Sequence, residues 1–337
     1  MPRRSDTSLA TLLLVARVVP AEAKPLSARE LWHLVETIGD PAALLGLPEA
    51  ALGERLGPDA AGRVAALFDR ATALALEIER LEQSGIVTIV ALDDDYPERL
   101  RTVLGDQAPA VLHAAGPVAH LGRGGLGVVG SRDLDSAAEA FASGVAAQAA
   151  ATGEVVVSGG GRGAGRVALD AALATGGEGV GVLADALVRT ANDAGVRRAV
   201  ADGSLCLVTP YAPSAPFSDS NAMARNKVIY ALADRTVVVA CVEGEGSTWA
   251  GAVEALDGGF GRVLVRTGEG APPGNRALVG LGAEPWAAAG GAAPTQDPLA
   301  KVDAGTDGDV RPGDPSPDQG SSAPPLPGPS AQLSLDL

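Results

Sequence analysis

The stretch LGVVGSRDLDSAAEAFASGVAAQAAATGEVVVSGGGRGAGRVALDAALATGG, residues 126–177, carries the pattern that decides the fold. Two short β-branched apolar runs end in glycine, and an alanine-rich segment of helical length follows each. Runs of this kind are strands buried on both faces, and the glycines turn the chain from strand into helix. The pattern continues through GVGVL (179–183) with a helix near 190–201 and SLCLV (204–208) with a helix near 221–233. It ends with RTVVVA (235–240), a helix near 248–257, and RVLVR (262–266). Strands alternating with helices form βαβ units, hence a parallel sheet covered on both faces with right-handed crossovers. Ligands of such sheets bind beyond the carboxyl ends of the strands.

Upstream, residues 1–84 read as a small helical domain. Leu31, Leu34, Val35 and Ile38 fall on one helix face, and Ser27 with Glu30 forms a capping box ahead of them. GLPEAALGERLG (46–57) is open to two readings. One is a helix-hairpin-helix that offers backbone N–H groups to DNA phosphate; the other is a tight αα turn. A long helix is expected from about Asp59 to Gln83. Residues 85–287 hold the sheet, starting with an apolar strand over Ile86–Leu92. Asp93, Asp94 and Asp95 follow it. Consecutive carboxylates do not converge on one ion, so they read as a loop with a helix cap rather than a metal site. Residues 288–337 are rich in Pro, Gly, Ala, Ser and Asp, and cannot bury enough surface to offset their ordering entropy; a disordered tail is expected.

Composition narrows the function. The 337 residues carry a formal net charge of −15, and each of the three segments is acidic. Binding to nucleic acid through a broad positive field is disfavoured, but a local cluster of Arg and Lys can still grip phosphate, because screening confines each charge to about 8 Å. Aromatic residues make up only 3 %, too few for an extended base-stacking platform. Two cysteines, Cys206 and Cys241, exclude a disulfide scaffold and fit a reducing cytoplasm. No apolar run reaches the ~18 residues needed to cross a bilayer. The N-terminal stretch has signal-peptide features, with Ala21-Glu22-Ala23 as a cleavage-like site. Arg17 and Asp6 break that pattern, and the segment reads as a helix of a soluble protein. No zinc spacing and no Ser–His–Asp set is present, so no metal, cofactor or catalytic residue is expected.

Four elements can hold an anion. Gly130-Ser131-Arg132 combines a close turn, a hydroxyl, a cation and the free N–H groups of a helix start; phosphate contact and simple close packing both account for it. Ser158-Gly159-Gly160-Gly161-Arg162-Gly163 places four glycines within five residues at a strand end, a large entropic cost that a close ligand would explain. It is not the usual GxGxxG dinucleotide fingerprint, since no acidic residue closes the second strand. Arg225-Asn226-Lys227 puts two cations around an amide on a helix, and Ser247-Thr248 puts two hydroxyls at a helix start, where capping is the plainer reading. All four should meet on one rim.

These segments carry a family resemblance. GVVGSR, VVVSGGGRGAGRVALDAALATGG and MARNKVIYALADRTVVVACVEGEGSTWAGA resemble the DNA processing protein A (Smf) family, as do DDDYPERLRTVL and PAVLHAAGP upstream. The resemblance spans about residues 85–267. It implies an α/β fold with an extended Rossmann-like parallel sheet, no enzymatic activity, binding of single-stranded DNA, hand-over to a RecA-type recombinase in recombination and transformation, and a homodimer. It would put DNA contacts at Ser131, Arg132, Ser158, Gly159, Arg162, Arg225, Asn226 and Lys227. The chain departs from the family pattern at Ala164, Gly165 and Leu169, at Ala184–Val188, and at Thr209–Ala212, which keeps only Tyr211 of the usual segment. It is a divergent member on this reading.

The last six residues, Gln332-Leu333-Ser334-Leu335-Asp336-Leu337, are similar to the sliding-clamp binding hexapeptide Gln-x-x-Leu-x-Leu. The Gln332 amide suits a pocket rim, and Leu333, Leu335 and Leu337 offer apolar anchors on a long tether. A clamp adaptor is thus one alternative function. Another is a nucleotide-binding or nucleotide-cleaving protein related to cytokinin-activating phosphoribohydrolases, with Gly244, Gly246 and Thr248 as the phosphate loop and Glu254 as the acid. Glu254 follows Thr248 by six residues where that family's loop has three.

Overall fold

The computed structural model describes residues 4–286. The expected tail over 288–337 and the clamp-like peptide at Gln332–Leu337 lie outside the described residues. The N-terminal part is helical: α1 (Asp6–Val15), α2 (Ala28–Ile38), α3 (Glu49–Leu56), α4 (Pro58–Phe68) and α5 (Ala71–Gln83). The capping box on α2 is formed, with Ser27 accepting from the Glu30 amide and Glu30 accepting from the Ser27 amide. The segment 46–57 is an αα connection in which Gly57, at φ 86°, ends α3 and starts α4. The helix expected over 59–83 is instead two helices. The chain breaks at Asp69–Arg70, and Arg70 turns inward to donate through Nε and Nη2 to the Leu13 carbonyl at 3.2 and 2.5 Å. A buried cation at the C-terminal end of α1 satisfies one orphan carbonyl there and offsets the negative helix terminus.

Next come β1 (Val87–Val90), α6 (Glu98–Leu104) and β2 (Val111–Ala115). The three aspartates between β1 and α6 do not cap α6, whose N-cap is Pro97 without a side-chain bond. Asp93 instead accepts from the Ser8 hydroxyl at 3.0 Å, tying α1 to the strand end.

From there the chain alternates as the sequence predicts: β3 (Leu126–Val129), α7 (Ser136–Ala151), β4 (Val156–Gly159), α8 (Ala164–Ala174) and β5 (Gly179–Val182). α9 (Leu187–Ala191) and α10 (Ala194–Ala201) replace the single helix expected near 190–201. Asp193 separates them, because its carboxylate caps α10 by accepting from the Gly195 and Val196 amides. β6 (Leu205–Thr209), α11 (Asp219–Leu232), β7 (Arg235–Val238), α12 (Gly246–Gly258), β8 (Arg262–Val265), α13 (Pro273–Gly280) and β9 (Glu284–Pro285) complete the order.

The strands form one sheet in the order β1-β2-β6-β5-β4-β3-β7-β8-β9. β3 to β9 pair in parallel, as the Rossmann-like reading requires, while β1–β2 and β2–β6 are antiparallel. VLHAA was not read as a strand, and it is what carries the sheet beyond β6. The described residues form one compact unit. The division expected at 84/85 falls within that unit. Trp32 on α2 donates to the Ala108 carbonyl at 2.9 Å and lies under the Arg101 guanidinium at 3.8 Å.

His113 on β2 is buried opposite Thr88 of β1, with Nδ1 and the hydroxyl 3.1 Å apart. Burial, helped by the positive field of Arg4, pushes its pKa down from 6.5 to about 4. An unfolded chain therefore takes up this proton before the folded one, so His113 costs stability as the pH falls below 6.5. Between pH 7 and pH 5 the loss should be about 2 kcal/mol. Urea unfolding at the two pH values measures it, and His113→Phe should shrink the difference by that amount. Identical pH dependence in variant and parent would contradict the assignment.

Candidate functional site

Winding from β3 to β6 proceeds one way across the sheet, and β7 returns to the other side of β3. The direction thus reverses between β3 and β7, and crevices open there at the carboxyl ends of the strands. α11 aims its N-terminus at this rim because its other end is fixed. Arg99 of α6 donates to the Ala231 and Ala233 carbonyls at 2.9 and 2.8 Å and pairs with Asp234 at 2.7 Å.

The loops after β3 and β4 lock together. The Ala164 amide donates to the Ser131 carbonyl at 3.3 Å. Gly163 sits at φ 97°, where a Cβ would lie 2.3 Å from the Ser131 carbonyl oxygen and 2.6 Å from Arg132 Cα. This lock holds Arg132 and Arg162 on adjoining turns. Arg162 pairs with Asp133, and Arg132 pairs with Asp219 at the start of α11 at 3.5 Å; all four side chains are well exposed. Phe217 lies beneath the Arg132 guanidinium, 5.2 Å away, with half its surface open to solvent.

Arg225, one and a half turns along α11, reaches the same strand ends from below. Its Nη1 donates to the Val182 carbonyl at the end of β5, and its guanidinium fills the space that a Gly159 side chain would need. Burial pushes its pKa down from 12.5 to about 10, opposed by Tyr211 and Asp185, so the charge stays at neutral pH. Among the described residues its Nε is buried without a partner. The Arg132, Arg162 and Arg225 groups therefore belong to one edge of the sheet, at β3, β4 and β5.

The remaining expected site residues serve the fold. Ser131 donates its hydroxyl to the Ala240 carbonyl at 3.0 Å, and Ser158 donates to the Val128 carbonyl. Asn226 donates to the Ser247 carbonyl at 2.7 Å, pinning the start of α12 to α11. Lys227 points away to Glu254 at 2.7 Å and to the Gln107 side chain at 2.9 Å. Ser247 and Thr248 lie inside the first turn of α12 and do not cap it; the N-cap is Glu245, without a side-chain bond. Among the glycines, Gly130 admits Ala164 and Val239, Gly160 admits the Leu183 side chain, and Gly159 admits Arg225. Gly161 differs: its φ is not positive, it is exposed, and nothing stands within 4 Å of a Cβ there. Packing inside the protein does not account for it.

The family model for DNA recombination-mediator protein A matches residues 87–260, just over half of the chain. The chain belongs to this family of DNA processing proteins. Among solved structures, DNA processing protein A from Streptococcus pneumoniae superposes with a TM-score of 0.56 at 22 % identity, over 77 % of this chain and 94 % of that one. The protein from Helicobacter pylori, described for its single-stranded DNA binding mode, gives 0.49 at 17 %, over 59 % and 90 %. A molybdenum cofactor carrier from Chlamydomonas reinhardtii gives 0.34 at 20 %, over 48 % and 88 %. At these identities the likeness is one of fold. No curated protein matches the chain. The fold of the DNA-processing family is thus present, while Phe217, beside Arg132, was not among the residues expected at the rim. A lone aromatic in a Pro- and Ser-rich loop just ahead of a helix cap was the available signal.

Proposed function

We propose that this protein is a non-enzymatic DNA-recombination mediator that binds single-stranded DNA on the rim formed by Arg132 and Arg162, with Arg225 supporting the strand ends beneath them. The observation that carries the reading is the locking of two strand-end loops that brings Arg132 and Arg162 together beside an exposed Phe217. Guanidinium groups suit phosphate oxygens, an aromatic face suits an unstacked base, and the bare backbone at Gly161 leaves room for a strand to approach closely. A duplex keeps its bases stacked inward and cannot use Phe217.

Fluorescence anisotropy with a labelled oligonucleotide tests it. Single strands should bind more tightly than the matching duplex, and Phe217→Ala should weaken the single strand about tenfold while leaving duplex binding unchanged. Equal loss on both would remove Phe217 from base recognition; absence of binding in the parent would end the proposal.

The finer parts of the reading rest on the family resemblance and the terminal peptide. They are hand-over of the strand to a RecA-type recombinase, a role in transformation, a homodimeric state, a cytoplasmic location, and recruitment to the sliding clamp through Gln332, Leu333, Leu335 and Leu337. A nucleotide-cleaving reading is less well supported, because Glu254, the acid it would use, is held by Lys227 at 2.7 Å.

A further inference from the structure

On the other side of the 130–135 loop, facing β7 and β8 rather than β4 and β5, lies a cavity of about 230 Å³. Its lining includes Ser131, Asp133, Asp135, Cys241, Val242 and Arg266. Arg266 is 5 % exposed. Its Nε donates to the Val239 carbonyl at 3.1 Å and its Nη2 to the Gly270 carbonyl at 2.9 Å. Among the described residues its Nη1 has no hydrogen-bond partner, yet it is not enclosed, and the Phe141 ring lies 6.0 Å from the guanidinium carbon. Two carbonyls already accept from the guanidinium, and its open nitrogen leaves one charge-assisted bond for an anion. The cavity is where a counter-ion can enter.

The rest of the lining narrows the ligand. Asp135 uses one oxygen to cap α7 at the Ala138 amide, 2.7 Å away, and Asp133 uses one to pair with Arg162. The second oxygen of each has no partner among the described residues and can accept from hydroxyl groups. Leu134, Val242 and Pro272 add an apolar wall. The volume is below the roughly 300–1,000 Å³ of pockets for drug-sized ligands and suits a small ligand. The place, at the reversal of strand order, is where open α/β sheets hold small molecules.

We propose that this crevice binds a ribose phosphate unit, free or as part of a nucleoside monophosphate, with the phosphate against Arg266 and the sugar hydroxyls on Asp133 and Asp135. The site touches the DNA rim through Asp133, which pairs with Arg162, but does not depend on that reading.

Calorimetric titration of the full chain with ribose 5-phosphate, AMP, adenosine and inorganic phosphate tests it. Ribose 5-phosphate and AMP should bind at one site, with adenosine at least about tenfold weaker for want of the charge-assisted bond. Tighter binding of AMP than of ribose 5-phosphate identifies a nucleotide site; equal binding identifies a sugar phosphate site. Because Arg266 also clamps Val239 and Gly270, the blocking variant is Val242→Trp, an exposed position at the mouth whose side chain is free to fill the crevice. It should abolish both titrations, whereas Arg132→Ala, on the DNA rim but paired with Asp219 and not lining the crevice, should leave them unchanged. The proposal falls if neither ester binds at millimolar concentration, if inorganic phosphate binds as tightly as ribose 5-phosphate, or if the rim variant loses binding while Val242→Trp keeps it.

Discussion

Gly163→Ala should lower the stability of the folded chain by about 3 kcal/mol and reduce its melting temperature by about 5 °C. The backbone there, at φ 97° and ψ −149°, belongs to a region that only glycine enters readily. A methyl group would also stand 2.3 Å from the Ser131 carbonyl oxygen, and both partners are backbone, so neither can swing aside. The two costs add because relief of either requires the loops after β3 and β4 to part. Parting them separates Arg132 from Arg162, so DNA binding should fall with stability. Thermal unfolding and anisotropy on the same sample check the pair. By contrast Gly161→Ala, two residues earlier, should leave the melting temperature within about 1 °C, since nothing faces its Cβ. Equal melting temperatures for the two variants would show that the lock between the loops does not hold.

Arg132→Ala/Arg162→Ala should weaken single-stranded DNA binding about 10- to 100-fold at physiological salt. Two lost phosphate contacts should also flatten the dependence of log affinity on log salt by about 1.4. The loss is smaller than two isolated cations would cause, because each guanidinium already faces a carboxylate. Phosphate must displace Asp133 from Arg162 and Asp219 from Arg132. Both pairs are solvent-exposed, so the competition is mild. Asp219→Asn should accordingly move affinity the opposite way, by a few-fold. An unchanged salt slope in the double variant would take both arginines out of the interface. Arg225 is the wrong residue for this test: its guanidinium supports the ends of β4 and β5, and its removal would leave a hole beneath Gly159.

The parallel part of the sheet was legible because buried strands and alanine-rich helices alternate without interruption, and each period is set locally. β3 to β8 lie within two residues of the runs read from the chain. β2 was not legible: VLHAA is a short run without strong β-branching, and it becomes a strand because β1 and β6 flank it with unpaired backbone groups. The breaks at Asp69–Arg70 and at Asp193 were missed for a related reason. Helical periodicity runs through both, and only a carbonyl of α1 or a local cap decides that the helix stops.

At the site the same division holds, residue by residue. Residue type and spacing were enough to bring Arg132, Arg162 and Arg225 to one edge, since strand ends and helix starts of a parallel sheet must gather there. What each group does there depended on its neighbours in space. Lys227 follows Arg225 by two residues and so leaves α11 on another side, where Glu254 and Gln107 take it up. Ser131 and Ser158 look like ligand hydroxyls in the chain, yet each finds a strand-end carbonyl closer than solvent. Hydrophobic period and glycine placement act over a few residues and are written in the order of the chain. The pairing of a cation, a hydroxyl or a lone aromatic is settled by groups far away in sequence, and so only the packed structure assigns it.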